Sequence, residues 1–356
     1  MIKKQFTTIL AVLLLTFATT FAQQFPVSSH YLVNPTALNP AFAGTFNRSE
    51  LFLNFRRDWS AIEGSPRTVR INGDFPVYRN MYVGGDVYAD FADIFYRLKA
   101  GLNYTLKLEV GVDQTLSFGI AGNYFQSVVR LDQANVDFDD PILKDLDRLF
   151  HADFNAAFGL VYSNRDFHAA FGMPVMFRTK DAYTAVGNGN FAFERAYDFY
   201  ITNSFTIHPN WQLRPGVLLR KTINQPLILD VSALMVYNRQ LWLGALYRNT
   251  SLFGFTAGGR LMDGLVINYT YEVGFGGINR YAGNTHEFTL GFTKPLDDTR
   301  IYRGGKKAKS RVDIREKPKE ETKKKQKRNK QKTLKTKPAK RTQPLQPLNY
   351  APYEKF

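Results

Sequence analysis

The chain has 356 residues, 15% of them aromatic, no cysteine and a formal net charge of +16. The lack of cysteine excludes disulfides, thiolate metal sites and cysteine nucleophiles. The charge is segregated. Residues 303–356 hold 20 Lys+Arg against 5 Asp+Glu, whereas residues 1–302 hold 27 against 26. The body lacks the basic stripe of a nucleic-acid enzyme, so nucleic acid is not expected as a partner.

The first element is a leader. Lys3 and Lys4 form a basic start, Ile9 to Phe17 is mostly apolar, and Thr20-Phe21-Ala22 has the small-x-small form of a cleavage site. Residues 1–22 are expected to be a secretory signal peptide cut after Ala22. The apolar run is too short to span a bilayer as a helix, although a signal anchor is the structural alternative. A mature start at Gln23 offers no cysteine to lipidate.

Residues 23–49 form an N-terminal segment with two Asn-Pro pairs, Asn34-Pro35 and Asn39-Pro40, followed by Ala41-Phe42-Ala43-Gly44. Proline fixes its own φ and pushes the preceding residue out of the helical region. Two such pairs hold the chain extended or turned at both ends, and the small residues can pack closely against a wall. This stiff segment is expected to close the periplasmic mouth of a barrel or to enter its lumen.

Period-two alternation dominates from residue 50 onward. Leu265, Ile267, Tyr269, Tyr271 and Val273 alternate with Val266, Asn268, Thr270 and Glu272, and Phe288, Leu290 and Phe292 alternate with Glu287, Thr289 and Gly291. Strand side chains point to opposite faces in turn, so each segment has one greasy and one polar side. Fourteen segments fit this pattern, near 50–57, 66–75, 80–88, 95–108, 113–126, 153–163, 167–177, 195–207, 211–220, 227–237, 240–248, 252–261, 264–273 and 284–293. Most are about ten residues long, the span of a tilted membrane strand. Connections after even-numbered segments are short, and most of those after odd-numbered segments are longer, with Asn249–Ser251 as the exception. These features indicate an all-β fold, a transmembrane outer-membrane β-barrel of about 14 antiparallel strands over residues 50–294. A soluble sandwich also alternates, but the strand length, the strand count and the aromatics near strand ends (Trp59, Tyr78, Tyr82, Tyr162, Tyr197, Trp211, Tyr237, Tyr247, Tyr269) favour the barrel. An even count puts both termini on the short-turn, periplasmic side.

Motifs for chemistry are scarce. The acidic stretch 132–147 fails as a calcium loop, because the sixth and twelfth positions from Asp137 are Ile142 and Arg148. It reads instead as a short helix with Asp140 as N-cap and Pro141 at its first position. Five histidines lack ligand spacing, no Gly-x-Ser-x-Gly elbow occurs, and GNGN at 187–190 and GFGG at 274–277 lack a phosphate-loop context. No catalytic residue, metal or cofactor is indicated. Glu63, Glu194 and Glu272 could pair across a lumen, as could carboxylates of any polar barrel interior. FRRDWSAIEGSPRT, residues 55–68, is the densest polar-aromatic cluster. It reads first as a hairpin rim with ordinary ion pairs and an interfacial Trp59. The alternative is a fixed network that docks a partner or anchors a plug.

Residues 295–356 are expected to be a disordered basic periplasmic tail, too poor in apolar residues to fold. Its end, PLQPLNYAPYEKF, changes to prolines and aromatics, and Tyr350, Tyr353 and Phe356 are candidate docking residues. The Lys-rich part suits an anionic periplasmic partner, a cell-wall polymer or lipid head groups.

QQFPVSSHYLVNPTALNPAFAG, FRRDWSAIEGSPRT and THEFTLGF together resemble the PorP/SprF family of outer-membrane proteins, over roughly residues 23–294. The matching positions are Gln24, Pro26, Ser29, Tyr31, Asn34, Pro35, Asn39, Pro40, Ala41, Phe42, Ala43 and Gly44, then Arg56, Trp59, Gly64, Pro66 and Thr68. The resemblance implies a barrel in outer-membrane lipid that works with type IX secretion and gliding components. It also implies a cognate secreted surface protein, adhesin-like, with a C-terminal sorting domain. It brings no catalytic residues, and the long basic tail departs from shorter members of the family. A passive porin or small-solute channel is the competing reading.

Overall fold

A computed structural model describes residues 28–130, 148–178, 193–261, 264–275 and 279–296. The expected leader with Gln24 and Pro26, the acidic stretch 132–147, the GNGN loop and the tail with Tyr350, Tyr353 and Phe356 lie outside the described residues.

Fifteen strand segments follow one another: β1 Arg48–Arg57, β2 Arg67–Tyr78, β3 Met81–Ala92, β4 Phe95–Gly111, β5 Gln114–Arg130, β6 Arg148–Asn164, β7 Phe167–Val175, β8 Ala196–Thr202, β9 Phe205–His208, β10 Trp211–Thr222, β11 Ile228–Tyr237, β12 Leu241–Arg248, β13 Leu252–Leu261, β14 Leu265–Gly274 and β15 Thr285–Pro295. All pairings are antiparallel, most of them between chain neighbours, and β15 closes on β1 from Arg48↔Pro295 to Arg57↔His286. β8 and β9 both pair with β10, so they are two pieces of one stave. The structure is a closed antiparallel barrel of fourteen staves. Closure leaves no strand edge in the wall, which membrane burial requires.

The break in the eighth stave has a local cause. Pro215 on β10 has no N–H to give its neighbour, and Asn203–Ser204 opposite it leave the strand geometry. A second departure from expectation is the stretch 89–94. β3 runs on to Ala92, and a two-residue turn with Asp93 at φ 51° replaces the expected loop.

Alternation sets the two faces. On β1, Leu51, Leu53 and Phe55 are exposed outward while Glu50, Phe52, Asn54 and Arg56 are buried inward. On β15, Phe288, Leu290 and Phe292 face out while Glu287, Thr289 and Thr293 are buried. The outer face thus carries an apolar band and the inner face most of the polar groups, the reverse of a soluble protein and the arrangement a bilayer demands. Not every expected girdle residue sits on the outside. Tyr82 is 3% exposed and turned into the lumen.

Candidate functional site

The lumen is filled by the chain's own N-terminal segment. Three single 3-10 turns, Ser29–Leu32, Pro35–Ala37 and Pro40–Phe42, carry residues 28–47 down the barrel interior. The segment starts beside Glu287 and Glu272, near the long-loop ends of β15 and β14. It ends where Leu296 N–H donates to the Asn47 carbonyl, at the short-turn rim. Of the two expected placements, the mouth and the lumen, the segment takes the lumen.

Its upper end is held by charge. The Arg56 guanidinium donates to both Glu272 oxygens at 2.9 and 2.7 Å, to Glu287 at 2.9 Å and to Asp58 at 2.7 Å. The same two glutamates receive the segment: Ser29 N–H donates to Glu287 at 2.9 Å, and the Ser28 and Ser29 hydroxyls donate to Glu287 and Glu272. Arg248, paired with Asp230 at 2.7 Å, reaches Ser29 Oγ at 3.4 Å. His30 lies against Thr270, Thr289 and Asn54. Arg56 therefore belongs to an anchor for the segment, not to an ordinary rim. Salt-bridge residues on one strand cannot reveal this, because the partners come from β14 and β15.

The two Asn-Pro pairs do different work. Asn34 and the wall residue Asn72 exchange amide hydrogen bonds at 2.8 and 3.3 Å. Asn39 caps the third turn through Ala41 N–H at 2.9 Å and donates to the Phe171 carbonyl of β7 at 2.8 Å. That third turn sits on a shelf of glycines. Gly119, Gly159 and Gly172 are adjacent across β5, β6 and β7. A Cβ on Gly119 would overlap Pro40 and Ala41, and one on Gly159 would overlap the Asn39 amide. Thr105 on β4 donates to the Pro40 carbonyl at 2.8 Å. Below it, Gly44 adopts φ 71°, packs against the Tyr82 ring and donates to Asp74 at 3.3 Å. A residue with a Cβ would be strained there and would meet the ring.

The other side of the segment is apolar. Tyr31, Leu32, Leu38, Ala41 and Phe42 join a core with Val161, Ala170, Tyr200, Leu218, Leu234 and Leu246 from the β6–β12 side of the barrel. Tyr31 and Phe42 meet the Tyr200 ring edge-on at 5.3 and 6.1 Å. Burying Leu32, Leu38 and Phe42 contributes on the order of 1.5–3 kcal/mol each. The inner face is thus not uniformly polar, as alternation alone suggests. On the β6–β12 side it carries this apolar patch among polar pairs such as Arg220–Asp198 and Arg248–Asp230, and the segment packs against the patch.

The remaining motif residues lie on the long-loop rim. Trp59 takes φ 49° in the loop after β1, and Gly64 takes φ 70° where its carbonyl accepts from Asp93 N–H at 2.9 Å. The Pro66 carbonyl accepts from Asp58 N–H at 2.9 Å. Ser60 and Ala61 donate to Asn284 and Ala282, tying this loop to the one between β14 and β15. The structure therefore brings Asn34, Pro35, Asn39, Pro40, Gly44 and Arg56 into the lumen and leaves Trp59, Gly64 and Pro66 outside it. Glu272 does pair in the lumen, whereas Glu63 is exposed and Glu194 pairs with Arg178. Among the described residues no cluster of metal-ligating side chains occurs and no helix is long and apolar enough to cross a membrane.

The family model described as type IX secretion system membrane protein PorP/SprF matches residues 20–292. A search of the curated proteins found no match. Among solved structures, the barrel is similar to outer membrane protein Omp33 of Acinetobacter baumannii (9% identity, 69% of this chain and 97% of that chain, TM-score 0.41). It is also similar to a FadL homologue from Pseudomonas aeruginosa (11% identity, 77% and 95%, TM-score 0.45). A third is CymD, a monoaromatic hydrocarbon channel (9% identity, 78% and 95%, TM-score 0.46).

Proposed function

From the premise that the chain belongs to the PorP/SprF family of type IX secretion system membrane proteins, we propose that it is a plugged outer-membrane accessory of that system. It helps export, or retain at the cell surface, one cognate adhesin-like protein with a C-terminal sorting domain, in a gliding or secretion apparatus. The observation that carries this reading is the occupied lumen. Residues 28–47 contact staves on opposite sides of the barrel, from Glu287 on β15 to Phe171 on β7. A barrel filled in this way is poorly suited to passing solutes, which counts against the porin alternative. What it offers a partner is its two rims. The long-loop rim presents Trp59 and, in the loop after β14, the exposed Tyr281. The role is one of binding and positioning, without catalysis or cofactor, and the leader and basic tail fit a protein delivered across the inner membrane and linked to the periplasm.

Deletion of the gene tests this. The expected result is loss of one protein from the cell surface while other secreted proteins are displayed as before. An unchanged set of surface proteins would overturn the proposal.

A further inference from the structure

One row of outward side chains crosses the lipid-facing wall just below the long-loop rim. The register fixes its members: Tyr271↔His286, His286↔Arg57, Arg57↔Arg67 and Arg67↔Phe91, across β14, β15, β1, β2 and β3. Arg57 and Arg67 keep step with the outward Phe55 and Ile71, and His286 with the outward Phe288. Two arginines are therefore direct cross-strand neighbours, with a histidine on the other side of the first. Cβ atoms of such pairs stand about 4.5–5.5 Å apart, and like charges directly opposite destabilise a sheet.

The carboxylates nearby are engaged elsewhere. Asp58 accepts from Arg56 and from the Thr285 hydroxyl. Glu272 and Glu287 face the lumen on Arg56, and Asp90 faces it on Thr68. Glu63 and Asp93 are exposed on the rim. Among the described residues none of these, and no other carboxylate, lies within 4.0 Å of Arg57 or Arg67. Arg57 donates to the Ser60 carbonyl at 3.3 Å, and His286 Nδ1 lies 2.8 Å from the Tyr269 hydroxyl. The row thus concentrates positive charge that the wall itself does not balance.

Beneath it the wall turns apolar. Phe55 and Leu53 on β1 and Phe288 and Leu290 on β15 are all exposed outward. A ligand that fits needs an anionic head for the row and an apolar body for the surface below. Paired guanidinium forks suit phosphate oxygens. The flanking Tyr271 and Phe91 mark the level of a membrane interface, where lipid head groups lie.

We propose that Arg57, Arg67 and His286 bind the phosphate of a membrane lipid at the long-loop rim, with its acyl chains along Phe55 and Phe288. This inference rests on the outer wall alone and is independent of the surface-protein reading.

Local fluorescence quenching tests it. The chain has no cysteine, so Val69→Cys carries a single fluorophore on the outward face beside Phe55. The labelled full-length protein in neutral detergent is titrated with phosphatidic acid and with phosphatidylcholine, both brominated on their chains. The label reads lipid seated at this wall, and any lipid held by the basic tail is common to all variants. Phosphatidic acid should quench at a concentration at least ten-fold lower than phosphatidylcholine. Arg57→Gln with Arg67→Gln should abolish that preference, and Arg57→Lys with Arg67→Lys should keep most of it. Arg79→Gln, in the short turn after β2, should leave it unchanged. If the double glutamine variant does not close as a barrel, Arg67→Gln alone, at an exposed position, should still lower the preference at least three-fold. Equal quenching by the two lipids, or a preference untouched by the glutamine substitutions, would overturn the site. Inorganic phosphate that relieves the quenching as well as unbrominated phosphatidic acid does would overturn its assignment to a lipid.

Discussion

Asn39 on the N-terminal segment donates to the backbone carbonyl of Phe171 on β7 at 2.8 Å, across 132 residues of sequence. A side chain of the segment comes close to the backbone of the barrel wall where the wall carries no side chains of its own. Gly159 and Gly172 provide that bare strip beside Phe171.

Gly159→Ala should therefore dislodge the second Asn-Pro turn. The added methyl overlaps the Asn39 amide, and overpacking of this kind costs about 1–3 kcal/mol. Gly122→Ala is the control, since nothing lies within 4 Å of a Cβ there. A cysteine at position 41 should react with a thiol reagent faster in the first variant than in the second. Equal rates would mean that the shelf does not seat the turn.

Arg56→Met should be severe. It leaves Glu272 and Glu287, both 0% exposed, without their cation. Removing one partner of a buried ion pair typically costs about 3–5 kcal/mol. Adding Glu272→Gln and Glu287→Gln to the same chain should recover part of that loss. Thermal unfolding in detergent reads both effects, and a single variant as stable as wild type contradicts the anchor.

The Asn34–Asn72 exchange predicts coupling between segment and wall. Asn34→Ala strands a buried amide and should cost about 1–3 kcal/mol. The double variant with Asn72→Ala should cost less than the sum of the two single ones, by about 0.5–3 kcal/mol. Additive losses would show that the two amides do not act as a pair.

Much of the wall was legible because period two is a local signal. Segments such as 252–261 and 211–220 match β13 and β10 to within two residues at each end. The break between β8 and β9 was not, since its cause, Pro215, sits on the neighbouring strand. Tyr82 looked like a girdle residue because an aromatic at a strand end has the same sequence signature whether it meets lipid or Gly44. The Asn-Pro repeat announced a stiff segment. Its seat was hidden, because Gly119, Gly159 and Gly172 are far apart in the chain and an isolated strand glycine reads only as a weak spot. Arg56 was visible as part of a polar cluster, but its role depends on two glutamates more than 200 residues away.

The central claim is that the protein's own N-terminal segment closes the lumen, so that the barrel serves as a platform and not as a channel. Single-channel recording in planar bilayers tests it most directly, with the full-length protein beside a variant lacking residues 28–42. The full-length protein should be silent and the variant should show stable open channels. Stable large conductance from the full-length protein would contradict the account.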